Sequence, residues 1–81
     1  MATTRRRQPK RLARKLFSIR GRLGLSQTQM AKALDLKVAY TVVSAFERGK
    51  QEPDLLILLR YARLARVSVE TLIDDKLHLP K

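Results

Sequence analysis

Leu23-Gly24-Leu25-Ser26-Gln27-Thr28-Gln29-Met30-Ala31, followed further along by Val43-Ser44-Ala45-Phe46-Glu47-Arg48-Gly49, decides the fold. Ser26 carries the short oxygen-bearing side chain of a helix N-cap, and Gln29 completes a Ser-x-x-Gln capping box. Gly24 suits a left-handed C-terminal stop for the helix before it, and Gly49 closes the second stretch. The pattern predicts one short helix over about Gln27 to Leu34, with Met30, Ala31 and Leu34 on its buried side. A second runs from about Ala39 or Tyr40 to Arg48, with Val43 and Phe46 turned inward. Between them Asp35-Leu36-Lys37-Val38 forms the turn, and Leu36 plugs the core.

Working outward, Leu12, Leu16, Ile19 and Leu23 recur at helical spacing and make one apolar stripe upstream. Pro9 fits the first helical position, where its missing N–H costs nothing. Arg11, Arg14, Lys15 and Arg22 fall off the stripe, on or near the solvated side. Downstream, Lys50-Gln51-Glu52-Pro53 reads as a loop and Asp54 as the cap of a fourth helix, whose inner face is Leu55, Leu58, Leu59, Ala62 and Ala65. Ser68 starts a fifth, with Glu70 near its positive end and Val69, Leu72 and Ile73 packing inward. Residues 1–8 form a basic arm without apolar periodicity, 9–75 the folded domain, and 76–81 a short tail. Helical spacing throughout, with no strand-like alternation, predicts an all-α bundle of five short helices.

The chain has 81 residues, 44% hydrophobic but only 5% aromatic, so one modest aliphatic core is expected. Without cysteine it offers neither a disulfide framework nor a thiolate metal site. No apolar run is long enough to cross a bilayer, and the basic N-terminus leads into no signal-type stretch. A cytoplasmic, nucleoid-associated location in a bacterial or phage-like setting follows as an expectation. Eighteen Lys and Arg against seven Asp and Glu give a net charge of +11, which points to a polyanionic partner. The basic residues from Arg5 to Arg22 precede the first acid, Asp35.

These residues resemble the phage-repressor (Cro-like, XRE) helix-turn-helix family. The resemblance rests on Leu-Gly-Leu-Ser-Gln-x-x-Met-Ala at 23–31 and Val-Ser-x-Phe-Glu-Arg-Gly at 43–49. Pro53, the leucine-rich helix and Val-Ser-Val-Glu-x-Leu at 67–72 extend it. It implies a lambda-repressor-like domain that binds double-stranded DNA, commonly as a homodimer that represses transcription, with the third helix (about 39–48) in the major groove. The turn between Leu34 and Val43 is about two residues longer than is typical of the family.

The same resemblance assigns roles. Gln27 matches the position that meets a phosphate at the start of the second helix. Tyr40, Thr41, Ser44 and Ala45 match base-contacting positions of the third. Val42 is either an apolar reader of thymine or a core residue. Arg48, Lys50 and the arm residues Arg5, Arg6 and Arg7 are expected on the DNA backbone, and the arm can also enter a narrow minor groove. Arg20 and Glu47 match positions the family joins by a buried salt bridge, an architectural role.

His78 reads as a surface residue. Asp74 and Asp75 read as acids solvating a helix end, with too few ligands nearby for a metal. No nucleophile–base constellation or phosphate-cradling glycine loop appears, so neither an enzyme nor a cofactor is expected. Leu77 and Leu79, with exposed leucines of the last two helices, either form a dimer seam or cover the monomer core. The rival functional reading is an antitoxin-like or bridging protein whose main partner, such as a toxin, is another protein.

Overall fold

The computed structural model describes residues 9–36 and 40–80. Five helices follow in order: α1 Leu12–Leu23, α2 Gln27–Ala33, α3 Thr41–Glu47, α4 Leu55–Ala65 and α5 Val69–Ile73. No strand occurs among the described residues. The starts of α2, α4 and α5 follow from single side chains that accept the free N–H groups of a first turn. Ser26 Oγ accepts from the Gln29 amide at 3.1 Å while Gln29 Oε1 accepts from the Ser26 amide at 2.8 Å, completing the capping box. Asp54 Oδ1 accepts from the Ile57 amide at 2.9 Å, and Ser68 Oγ from the Thr71 amide at 3.2 Å.

The ends of α1 to α4 share one geometry. After α1, the Leu25 amide donates to the Arg20 carbonyl and the Gly24 amide to the Gly21 carbonyl, with Gly24 at φ 69°. The same double closure joins Leu36 to Ala31 and Asp35 to Lys32 after α2, and Lys50 to Ala45 and Gly49 to Phe46 after α3. After α4 it joins Val67 to Ala62 and Arg66 to Arg63. Each is a Schellman closure, which needs one left-handed residue. Glycine supplies it twice, but Asp35 (φ 57°) and Arg66 (φ 58°) adopt it with a Cβ in place.

Every helix contributes to one core: Leu12, Leu16 and Ile19 from α1, Met30 and Ala31 from α2, Val43 and Phe46 from α3, Leu58, Tyr61 and Ala62 from α4, and Leu72 from α5. Leu34, just past α2, joins them, and Leu36 packs against the cluster as expected. The α2–α3 and α1–α3 contacts build the helix-turn-helix half, while α4 and α5 brace α1 and each other. Phe46 meets Tyr61 edge to face at 6.4 Å between ring centroids, the geometry that aromatic quadrupoles favour.

Several expectations need correction. The first helix begins at Leu12, not at Pro9, whose carbonyl instead closes a turn onto the Leu12 amide. Leu23, in the last turn of α1, is 37% exposed rather than buried, since it faces an open cleft beside Leu64, Ala65 and Val67. Leu55 is 78% exposed and Leu59 only partly covered. The inner face of α4 is rotated toward Tyr61, whose ring fills the space beside Phe46, and Leu55 stands beyond the end of the core. Ile73 is also outward, at 41%; in the single turn of α5, Leu72 takes the inward position. The expected turn residues Lys37 and Val38, and the possible helix start Ala39, lie outside the described residues, as does the arm 1–8.

Lys15 is not solvated but buried. Its ammonium donates to the carbonyls of Thr71 at 2.7 Å and Asp74 at 2.9 Å, closing the C-terminal end of α5. Burial pulls its pKa down, opposed by the charge of Asp75, with Arg11 lowering it further and Asp74 opposing. Nor do Asp74 and Asp75 simply solvate a helix end. Asp75 accepts the amides of Lys10 and Arg11, both at 3.0 Å, and so ties the residues leading into α1 to the segment after α5. Asp74 Oδ1 accepts the Lys76 amide at 2.9 Å.

The backbone bonds from Arg11 and Lys10 hold the Asp75 carboxyl below the usual aspartate range. The unfolded chain therefore binds more protons as pH falls, so the stability Asp75 contributes above the ordinary aspartate pKa is lost on acidification through its folded pKa. Thermal melts of Asp75→Asn should start lower at neutral pH and fall less steeply than those of the parent between about pH 5 and pH 2. Separately, Arg66→Gly relieves a left-handed side-chain-bearing residue, and chemical denaturation should show it more stable by roughly 0.5–1 kcal/mol.

Candidate nucleic-acid interface

With about 100° per residue, Thr41, Ser44, Ala45 and Arg48 share one side of the α3 axis, opposite Val43 and Phe46. Val43 and Phe46 are buried, so the opposite side faces outward: Thr41 and Arg48 are exposed, Ser44 and Ala45 half-buried. Tyr40, the N-cap residue, is 52% exposed beside them. Val42 lies nearer Phe46 around the helix and packs against the core, which favours its core reading. Lys50, exposed, follows Gly49 at the end of the helix. Arg5, Arg6 and Arg7 lie outside the described residues.

What fixes this face is a cluster around Glu47, the last residue of α3. Its side chain is 4% exposed and its carboxylate receives Arg20 through two bonds, Nε to Oε2 at 2.7 Å and Nη2 to Oε1 at 3.0 Å. The remaining Arg20 Nη1 donates to the Leu25 carbonyl at 3.1 Å, and the guanidinium lies 5.3 Å from the centroid of the Phe17 ring. Hydrogen bonding to Glu47 raises the Arg20 pKa further above its ordinary value. Gln27, the first residue of α2, donates from Nε2 to Glu47 Oε1 at 3.3 Å. One buried carboxylate thus ties α1, the start of α2 and the end of α3 together. The expected Arg20–Glu47 pair is present, and Gln27 is drawn into the same network.

Residues that sequence reasoning passed over complete the frame. Arg60 reaches from α4 to donate to the Leu34 carbonyl at 2.9 Å, closing the exit from α2. Burial raises the pKa of the Tyr61 hydroxyl, which has no hydrogen-bond partner among the described residues. Of the expected seam residues, Leu79 packs against the core while Leu77 is 37% exposed. Among the described residues no group of three His, Asp or Glu gathers as a metal site would require. The interface chemistry is hydroxyl, methyl, amide and guanidinium, with the acid of α3 already neutralised by Arg20.

A helix-turn-helix family model, HTH_3, matches residues 16–72. Comparison with curated protein sequences gives no match. Among solved structures the chain is similar to the P22 c2 repressor in complex with a synthetic operator, at TM-score 0.70 and 20% identity over 79% of this chain and 94% of that one. It is also similar to a chain of the SinR–SinI protein complex, at TM-score 0.69 and 27% identity over 80% of this chain and 62% of that one. A third similar structure, a hypothetical transcription factor NHTF from Neisseria, gives TM-score 0.66 and 25% identity over 90% of this chain and 88% of that one.

A buried carboxylate stripped of its partner is an uncompensated charge. Arg20→Met should therefore destabilise the domain by roughly 3–5 kcal/mol in urea titrations, whereas Arg20→Met combined with Glu47→Leu should cost markedly less than the sum of the two single changes. Additive losses would mean that the pair contributes no coupling.

Proposed function

The chain belongs to the HTH_3 helix-turn-helix family of XRE-type DNA-binding transcription regulators, and on that premise we propose that it is a sequence-specific repressor that inserts α3 into the major groove as a homodimer. The observation that carries the reading is the outward face of α3, held at a set angle to α1 and α2 by Glu47. Thr41 and Ser44 exchange hydrogen bonds with base edges, and Ala45 lies against a thymine methyl. Tyr40 meets phosphate or sugar. Val42 acts from the core side, seating this face. Gln27 keeps one Nε2 N–H on Glu47 and donates the other to a phosphate at the start of α2. Arg48, Lys50 and the arm residues Arg5 to Arg7 neutralise further phosphates.

The repressor role draws support from the P22 c2 repressor, whose structure holds a synthetic operator. A dimer seam at Ile73 and Leu77 suits two apolar side chains left exposed at one end of the domain. For such a dimer, groove geometry sets the half-sites about one helical turn apart, about 34 Å, or a multiple of that. The place of action is the cytoplasm, on the nucleoid; no described helix is long and apolar enough to cross a membrane. A second reading, a protein partner as the main ligand, is favoured by Leu55 and Leu56, 78% and 54% exposed side by side at the start of α4. The similar SinR chain likewise stands in a complex with another protein.

Selection from a random duplex pool at about 150 mM salt should enrich two inverted half-sites. Uniform recovery would sink the operator reading and leave the protein partner. On the selected site, log K should fall against log salt with a slope of roughly −5 if about six phosphates are neutralised per dimer. Thr41→Ala should cost about 1 kcal/mol and relax preference at one position only.

A further inference from the structure

α1 carries a second cationic surface on the side away from α3. Arg11, Arg14, Ser18 and Arg22 recur at spacings of three and four, with Lys10 just before them, and line one wall of an open groove of about 630 Å³. His78 and Leu79 of the C-terminal tail line the other wall. With about 100° per residue, this row lies roughly half a turn around α1 from Arg20, the residue that faces Glu47 and α3. Arg11 and Arg22 stand roughly 16 Å apart along the axis at about 1.5 Å per residue. A ligand in this groove and a duplex on α3 would occupy opposite sides of one helix.

The donors in the groove are only partly used by the fold. Lys15, at its floor, is committed to the Thr71 and Asp74 carbonyls. Arg11 spends Nη1 on the Asp75 carbonyl, and Arg22 spends Nη1 on the Pro80 carbonyl. Both Asp75 carboxylate oxygens already accept backbone amides. The Arg14 guanidinium has no hydrogen-bond or ion-pair partner among the described residues, and neither does the Lys10 ammonium. Like charges at helical neighbour spacing repel, so beyond the Arg11 and Arg22 bonds to the Asp75 and Pro80 carbonyls the clustering of these charges brings the fold no gain. An anion with several oxygens close together would satisfy it, and planar guanidinium groups match phosphate geometry. The volume falls in the range of small-ligand sites, about 300–1,000 Å³.

We propose that the groove between α1 and the tail residues His78 and Leu79 binds a compact oligophosphate, a short chain of linked phosphates, free or at the end of a nucleotide. Arg14 is its main unshared contact, with Lys10 and the remaining N–H groups of Arg11 and Arg22 around it. The site is independent of the DNA-reading face, so it stands or falls separately from the operator proposal.

The test is an NMR titration of the full chain with inorganic triphosphate, followed residue by residue. Expected are saturable shifts at Arg14, Ser18 and His78, with Thr41 and Ser44 unmoved. Arg14→Gln, an exposed residue without a structural bond, should weaken binding roughly tenfold, while Thr41→Ala leaves it unchanged. Unchanged affinity in Arg14→Gln would overturn the proposal. So would shifts confined to Arg5, Arg6 and Arg7, which would place the anion on the arm. A parallel titration with a short DNA duplex separates the sources of phosphate. Shifts on α3 with a silent groove support a free oligophosphate ligand, and duplex-induced shifts centred on Arg14 and His78 would reassign the groove to nucleic-acid backbone.

Discussion

The buried carboxylate of Glu47 is the constraint on which the arrangement of the first three helices depends. α2 and α3 have seven residues each, too short to persist as helices without tertiary support. Apolar packing of Met30, Val43 and Phe46 holds them together but tolerates rotation and sliding. A carboxylate that must receive Arg20 through two N–H groups does not. Since the same arginine also reaches the Leu25 carbonyl, and Gln27 reaches the same carboxylate, the exit from α1, the entry to α2 and the end of α3 have one joint solution. The tie is costly to break because Glu47 has so little access to water.

A second tie closes the other half of the domain. α1 has no capping side chain of its own at Arg11, and the amides of Lys10 and Arg11 that lead into it are satisfied by Asp75, beyond α5. Lys15 returns the contact by closing the carbonyls at the end of α5. The entry to α1 and the exit from α5 are thus bonded to each other in both directions. In a small domain with a single core this matters, because α5 is one turn long and contributes only Leu72 to the fully buried set. Its position depends on polar closure as much as on apolar burial.

Much of this was legible in the sequence wherever the cause is local. The capping side chains of Ser26, Asp54 and Ser68 and the stop at Gly24 act within a few residues of themselves, so spacing alone reveals them. The Arg20–Glu47 pair was reached through family resemblance rather than through spacing. Lys15 carried a readable signal that its charge masked: it stands three residues after Leu12 and four before Ile19, within the buried stripe. Asp75 carried none, since its partners lie at the opposite end of the chain. Periodicity also could not choose between Leu55 and Tyr61, because both suit a helical stripe and only the position of the Phe46 ring decides. The left-handed Arg66 was hidden for the opposite reason, as nothing in an arginine announces that conformation.

If the outward face of α3 reads bases as proposed, its composition gives the Glu47 tie a functional reason. Thr41, Ser44 and Ala45 are short side chains, and the face has no Asn or Gln to make a two-pronged base contact, while the exposed Arg48 at its end is the residue proposed for the DNA backbone. Long side chains can search for a base edge and compensate for a misplaced helix. A hydroxyl on a single carbon, or a methyl, cannot. With +11 net charge, phosphate attraction provides affinity without choosing a sequence, so under the proposed function discrimination falls on groups of short reach and on the shape of the duplex. Such readers select bases only if the helix backbone lies at a fixed depth and angle in the groove. A rigid seat for α3, enforced by a buried ion pair as well as by apolar packing, is thus the counterpart of the proposed recognition surface of small residues.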